Sequence, residues 1–152
     1  VRDGNNNIIV ARTASKIHGL AGLRVGFGFA HPDLTQRINN AKTGGLNVLG
    51  INAAIASYQD QHFQDFTIEQ NRESLDIVEG MFDKLGHRYV KSNANFTFVY
   101  TGRDIREVNQ EFRNENIMVG RPFPPMTDWM RVSMAKPDEM RYFAQVYRKL
   151  LG

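Results

Sequence analysis

The sequence predicts an α/β fold in three stretches: a sheet fragment over residues 1–45, a helical connector over 46–85, and a small α+β domain over 86–152. Three observations predict it. An apolar run of strand length at Ile8–Ala11 and an alternating segment at Arg24–Ala30 flank a glycine-punctuated turn. A helical period of apolar residues then runs from Ile51 to Leu85, and Gly86 stops it. Beyond Gly86, short strands and helices alternate with enough apolar positions for a core of their own.

The elements follow in order. Val1-Arg2-Asp3-Gly4 reads as a turn and as an interior cut point, and Asn5-Asn6-Asn7 prolongs the turn. Ile8-Ile9-Val10-Ala11 is almost wholly apolar, which suits a strand buried on both faces. In Arg24–Ala30, Val25, Phe27 and Phe29 share one face, while Gly26 and Gly28 leave the other bare for close approach by backbone or ligand. Two strands are not stable by themselves, so the pair reads as the edge of a larger sheet. Pro32-Asp33 opens a short helix with Leu34 and Ile38 on one side, and Gly44-Gly45 breaks it. In the connector, Ile51, Ile55 and Tyr58 and then Leu75, Val78, Phe82 and Leu85 form apolar stripes, with a break at Gln59–Gln64.

His87–Lys91 and Asn95–Tyr100 read as strands, the second with Phe96, Phe98 and Tyr100 on one face. Thr101 with Asp104 reads as a capping box for a helix carrying Ile105, Val108 and Phe112. Ile117-Met118-Val119 reads as a short strand. The next residues, Arg121-Pro122-Phe123-Pro124-Pro125, read as an ordered loop rather than a P-x-x-P ligand. Trp129–Met134 sets Met130, Val132 and Met134 against Trp129, Arg131 and Ser133. Pro137, Asp138 and Glu139 open a last helix with the stripe Met140, Phe143, Tyr147 and Leu150.

Composition narrows the function classes. The hydrophobic share of 41% and charged share of 23% are those of a globular domain. A net charge of +3 is spread along the chain without a basic run, which argues against a nucleic-acid arm. No cysteine is present, so neither a disulfide framework nor a cysteine-ligated metal is expected, and a reducing, cytoplasmic setting fits. The four histidines are scattered and form no metal-ligand spacing. No apolar run reaches the length of a membrane span.

Chemistry concentrates in Ser15-Lys16-Ile17-His18-Gly19-Leu20-Ala21-Gly22-Leu23-Arg24-Val25-Gly26. Lys16 follows an apolar strand, and ligands of open α/β sheets gather at strand ends. An imine-forming amine needs partial desolvation to reach its neutral form. Ser15 offers a hydroxyl and Arg24 a planar fork to a phosphate dianion, and Gly19 and Gly22 let the backbone turn tightly between them. The spacing is neither that of a dinucleotide glycine motif nor that of a P-loop. His18, beside Ile17 and a glycine turn, reads as a packing residue.

These residues resemble the cofactor-lysine motif of the class I/II, fold-type I aminotransferases that use pyridoxal 5'-phosphate (PLP), nearest to the histidinol-phosphate aminotransferase branch. The likeness extends along the whole chain, through Asn95-Phe96, the Asn116–Pro122 segment and Trp129-Met130-Arg131-Val132-Ser133-Met134-Ala135-Lys136-Pro137-Asp138-Glu139. It departs at Ala135, where the family usually has glycine, and at Gly44-Gly45-Leu46-Asn47, which replaces a proline-containing turn. The resemblance implies a C-terminal portion of such an enzyme: the edge of the large PLP-binding domain, the connector and the small C-terminal domain. It implies that Lys16 holds PLP and shuttles the proton, that Ser15 and Arg24 bind the cofactor phosphate, and that Arg131, with Arg121 as a second contact, binds the substrate's anionic group. Phe123 and Trp129 would help line the substrate pocket. Amino acids or histidinol phosphate and 2-oxo acids would be the substrates, and a homodimer the active unit. The rival expectations are a truncated, non-catalytic module and a PLP-dependent decarboxylase relative.

Overall fold

Antiparallel pairing of two short strands begins the described part of the chain, residues 6–152 of a computed structural model. The turn expected at Val1–Gly4 and the first asparagine of Asn5–Asn7 lie outside the described residues. The chain forms two compact units, Val1–Thr67 and Ile68–Gly152.

In the first unit, β1 (Val10–Thr13) pairs with β2 (Gly26–Phe29), Val10 opposite Phe29 and Thr13 opposite Gly26. The apolar run Ile8–Ala11 predicts a strand buried on both faces. The strand instead starts two residues later, and all four of its residues are exposed. A two-stranded ribbon has no layer to bury either face, and the ladder begins where β2 supplies partners rather than where the run is apolar. β2 is also shorter than Arg24–Ala30, because Arg24 is left-handed (φ 53°, ψ 47°) and cannot join a ladder.

Three helices follow. α1 (Pro32–Ala41) carries proline in its first turn, and the His31 ring accepts the Asp33 N–H at 3.3 Å. α2 (Val48–Gln59) starts earlier than the Ile51 periodicity predicts because Asn47 caps it. The break before α3 (Gln61–Leu85) narrows from the predicted Gln59–Gln64 to one residue, Asp60, whose carboxylate accepts the Phe63 N–H at 2.9 Å. α3 ends as predicted at Gly86 (φ +69°). The Gly86 and His87 N–H groups return to the carbonyls of Asp83 and Phe82, the paired hydrogen bonds of a Schellman stop.

The second unit is a three-stranded antiparallel sheet in the order β3 (Tyr89–Val90), β4 (Phe96–Tyr100), β5 (Trp129–Ser133), with α4 (Ile105–Asn114) and α5 (Pro137–Leu151). Val99, Met130 and Val132 from one sheet face join Val78 and Phe82 of α3, Ile105, Val108 and Phe112 of α4, and Met140, Phe143 and Tyr147 of α5 in one core. The predicted helical stripes are thus the core faces. Two local expectations fail. The cap of α4 is Asp104, which accepts the Arg106 N–H at 2.8 Å, while the Thr101 hydroxyl turns to the carbonyls of Arg103 and Asp128. Ile117–Val119 forms no strand; its neighbourhood joins β5 through one bond, from Gly120 N–H to the Arg131 carbonyl at 2.9 Å.

Candidate functional site

The lysine turn is built from β1 outward. Ala14, fully buried, donates its N–H to the Val25 carbonyl at 3.1 Å and accepts the Leu20 N–H at 3.0 Å, so one residue ties both arms of the Ser15–Arg24 excursion. The Ser15 N–H donates to the Thr13 hydroxyl oxygen at 3.1 Å, and the Thr13 hydroxyl donates to Ser15 Oγ at 2.8 Å. With Thr13 as donor, the Ser15 hydroxyl keeps its own proton to donate elsewhere. Lys16 is exposed at the head of this turn.

Gly19 takes the left-handed conformation (φ +66°) that the turn was expected to need. Gly22 does not. The second left-handed residue is Arg24, and an L residue with a long side chain holds that conformation at a cost of about 1–2 kcal/mol. Its guanidinium returns one Nη1 bond to the Ala21 carbonyl at 2.9 Å, leaving the rest of the fork unengaged among the described residues. Two polar donors, Ser15 and Arg24, therefore flank Lys16 in sequence within one turn and remain accessible, which suits a dianion such as the PLP phosphate. His18 is buried, stacks on Tyr58 at 3.7 Å and contacts Ser57 Oγ at 3.1 Å, the packing role expected of it.

Arg121 and Arg131 belong to the second unit. Across β4 and β5, Phe98 faces Arg131 and Tyr100 faces Trp129, so arginine and aromatics share the sheet face opposite the core. The Arg131 guanidinium lies 4.2 Å from the Phe96 ring centroid, and its Nε is buried with no hydrogen-bond partner among the described residues. A buried donor without an acceptor is costly, and an anion would supply the acceptor. Arg121 is exposed and lies over Phe123 at 4.6 Å, and Phe123 meets Phe98 edge-on at 5.9 Å. Trp129, at 8% exposure, stacks on Phe98 at 5.3 Å.

Gly120 fixes the approach of Arg121 to this face. A Cβ on it would stand 2.9 Å from both the Arg131 carbonyl and its Cβ, and its own carbonyl accepts from Asn109 Nδ2 at 3.1 Å. Sequence reasoning missed Asn109, and it missed Arg88, which lies over Trp129 at 5.1 Å. Neither carries a local signal, since both act through residues far away in sequence. Asn47 did carry one, an asparagine just before an apolar run, which is an N-cap signature. Among the described residues no group of acidic, histidine or cysteine side chains could hold a metal, and no helix is long and apolar enough to cross a membrane.

Comparison with known proteins identifies the family. The family model for aminotransferase class I and II matches residues 1–146. The chain is 36% identical over 155 residues to the histidinol-phosphate aminotransferase of Moorella thermoacetica, covering all of this chain and 40% of that protein. It is 33% identical to the histidinol-phosphate aminotransferase of Akkermansia muciniphila, covering 99% of this chain and 42% of the relative. The crystal structure of histidinol-phosphate aminotransferase from Sinorhizobium meliloti in complex with pyridoxal-5'-phosphate superposes with a TM-score of 0.84 at 27% identity, over 97% of this chain and 43% of that one. The chain thus spans about 40% of the length of the curated relatives it matches. That is a share of length; the C-terminal placement expected from the motifs does not follow from it.

Proposed function

The chain belongs to the class I and II aminotransferases, and from that membership we propose that the whole protein transfers an amino group between an amino acid, or histidinol phosphate, and a 2-oxo acid, using PLP. The observation that carries this reading is the Ser15–Arg24 turn, in which exposed Lys16 follows Ser15, whose hydroxyl accepts from Thr13, and precedes exposed Arg24, whose guanidinium gives one bond to the Ala21 carbonyl. When bound, the cofactor supplies the electron sink for the reaction.

The remaining work falls to side chains of this chain. Ser15 and Arg24 hold the cofactor phosphate through charge-assisted hydrogen bonds. Lys16 binds the cofactor through its amine and moves a proton at the substrate Cα. Arg131 holds the substrate's anionic group, satisfying its orphaned Nε, and Arg121 gives a second contact. Phe96, 4.2 Å from the Arg131 guanidinium, gives the planar fork an aromatic ring to rest against. The reading assigns residues 1–45 to the PLP-binding domain, 46–85 to the connector and 86–152 to the small domain, in a cytoplasmic homodimer, as the resemblance implies.

The test uses the whole protein. Incubation with PLP and then borohydride should fix the cofactor on Lys16, identified by peptide mass, and Lys16→Ala should abolish the adduct. Protein that takes up no PLP at saturation would favour the non-catalytic reading. Release of carbon dioxide without amino transfer to a 2-oxo acid would favour the decarboxylase.

A further inference from the structure

Arg24 sits in a conformation that its own side chain does not favour, and the chain holds it there from both sides. Ahead of it, the Leu23 carbonyl accepts a hydrogen bond from Asn47 Nδ2 at 3.0 Å. The same asparagine uses its other end on α2, where Oδ1 accepts the Gly50 N–H at 3.1 Å. Behind it, Val25 packs against the first turn of α2 so closely that a Cβ on Gly50 would stand 2.5 Å from Val25 Cγ2 and 2.9 Å from Asn47 Nδ2. One amide side chain thus joins the start of α2 to the peptide that enters Arg24, while a bare glycine lets the same helix turn reach the residue that leaves it.

Leu23 and Arg24 share a peptide plane, so fixing the Leu23 carbonyl fixes the Arg24 N–H and restricts the Arg24 φ. The Arg24 N–H meets the Ala21 carbonyl only at 3.5 Å, and the 3₁₀ turn Ala21–Leu23 alone is a weak restraint. The bond from Asn47 comes from outside the turn, 24 positions along the sequence, and opposes relaxation of Arg24 to right-handed or extended backbone. Such relaxation would swing the guanidinium to a different direction from the turn.

We propose that Asn47 is a positioning residue for Arg24: its amide clamps the Leu23 carbonyl and keeps the Arg24 guanidinium aimed at the cofactor phosphate. The inference rests on the reading of Arg24 as a phosphate ligand. It makes separable demands on the two ends of one side chain. Oδ1 serves helix stability as a cap, and Nδ2 serves phosphate affinity.

Asn47→Ser and Asn47→Asp keep an N-cap acceptor and lose the amide donor, and the serine controls for the charge that aspartate adds beside Arg24. In the whole protein, the Kd for PLP should rise about threefold to tenfold in both variants, the worth of one hydrogen bond, while the melting temperature of the cofactor-free protein stays that of the parent. In the double variant Arg24→Ala/Asn47→Ser, the Kd should match that of Arg24→Ala alone, because the clamp has nothing left to aim. An unchanged Kd in both Asn47 variants, with Arg24→Ala impaired, overturns the clamp and leaves the phosphate reading standing. A Kd that rises only together with a fall in melting temperature, or losses that add in the double variant, overturns it in favour of a purely structural role. An unchanged Kd in Arg24→Ala removes the phosphate reading and the clamp with it.

Discussion

Two phenylalanines set the two units apart. Phe112 in the second unit is 0% exposed and stacks on Phe143 at 5.6 Å, while Phe29 in the first is 53% exposed and touches Phe27 edge-on at 5.5 Å. The same contrast runs through each unit. The second closes a core from three helices and a sheet face, whereas β1 and β2 leave Val10, Phe27 and Phe29 in the open. Packing and polar chemistry are thus distributed unequally: the packed unit sets Arg131 among aromatic rings on the back of its sheet, and the sparsely packed unit carries Lys16 in a turn held mainly by backbone hydrogen bonds.

The sharpest way to break that contrast is to truncate both rings. In the 152-residue chain, Phe112→Ala should cost about 3–5 kcal/mol in urea denaturation, and Phe29→Ala less than about 1 kcal/mol. Equal losses would mean that the first unit has a core of its own. A second measurement concerns the packed unit alone. Burial pushes the Tyr147 phenol well above its ordinary value, and Tyr89 goes up to about 12 through burial and its bond to Asp83 at 3.0 Å. A phenol raised on folding contributes stability that is intact below the unfolded value of about 10 and lost as pH climbs through the folded value. Denaturation midpoints should therefore fall above about pH 10, and less steeply in Tyr89→Phe. A modest effect sits at the end of α3, where Gly86→Ala should cost about 1 kcal/mol, because the site is spacious and only the left-handed backbone resists a side chain. A larger cost by thermal melting would show that packing, rather than backbone conformation, fixes that helix end.

Much of this organisation is legible in local sequence. The stripes Val78–Phe82, Ile105–Val108–Phe112 and Met140–Phe143–Tyr147 announce buried helix faces because helical period and burial are the same fact seen twice. The Gly86 stop and the alternation along β5 are equally local. What stayed hidden depends on a partner. The apolar run Ile8–Ala11 states a preference for burial, but exposure is settled by what covers it, and nothing in the run says so. Thr101 and Asp104 both have cap chemistry, and the choice went to Asp104 because the Thr101 hydroxyl is engaged at Asp128, 27 positions away. Gly22 offered the flexibility, yet Arg24 took the left-handed position. For the candidate site, motif chemistry named Ser15, Lys16, Arg24, Arg121 and Arg131, whereas Asn47 and Asn109, which hold the neighbours of Arg24 and Arg121, act through side-chain hydrogen bonds to the carbonyls of Leu23 and Gly120.

The alternation of β5 has an evolutionary reach. Met130 and Val132 are committed to the interior, and Arg131 between them is committed to the opposite face. Descendants of this chain can therefore explore new residues at position 131, or at its facing Phe98, without first surrendering the fold that displays them. Selection on what this face displays can act on one side of a single strand while selection for a durable protein acts on the other.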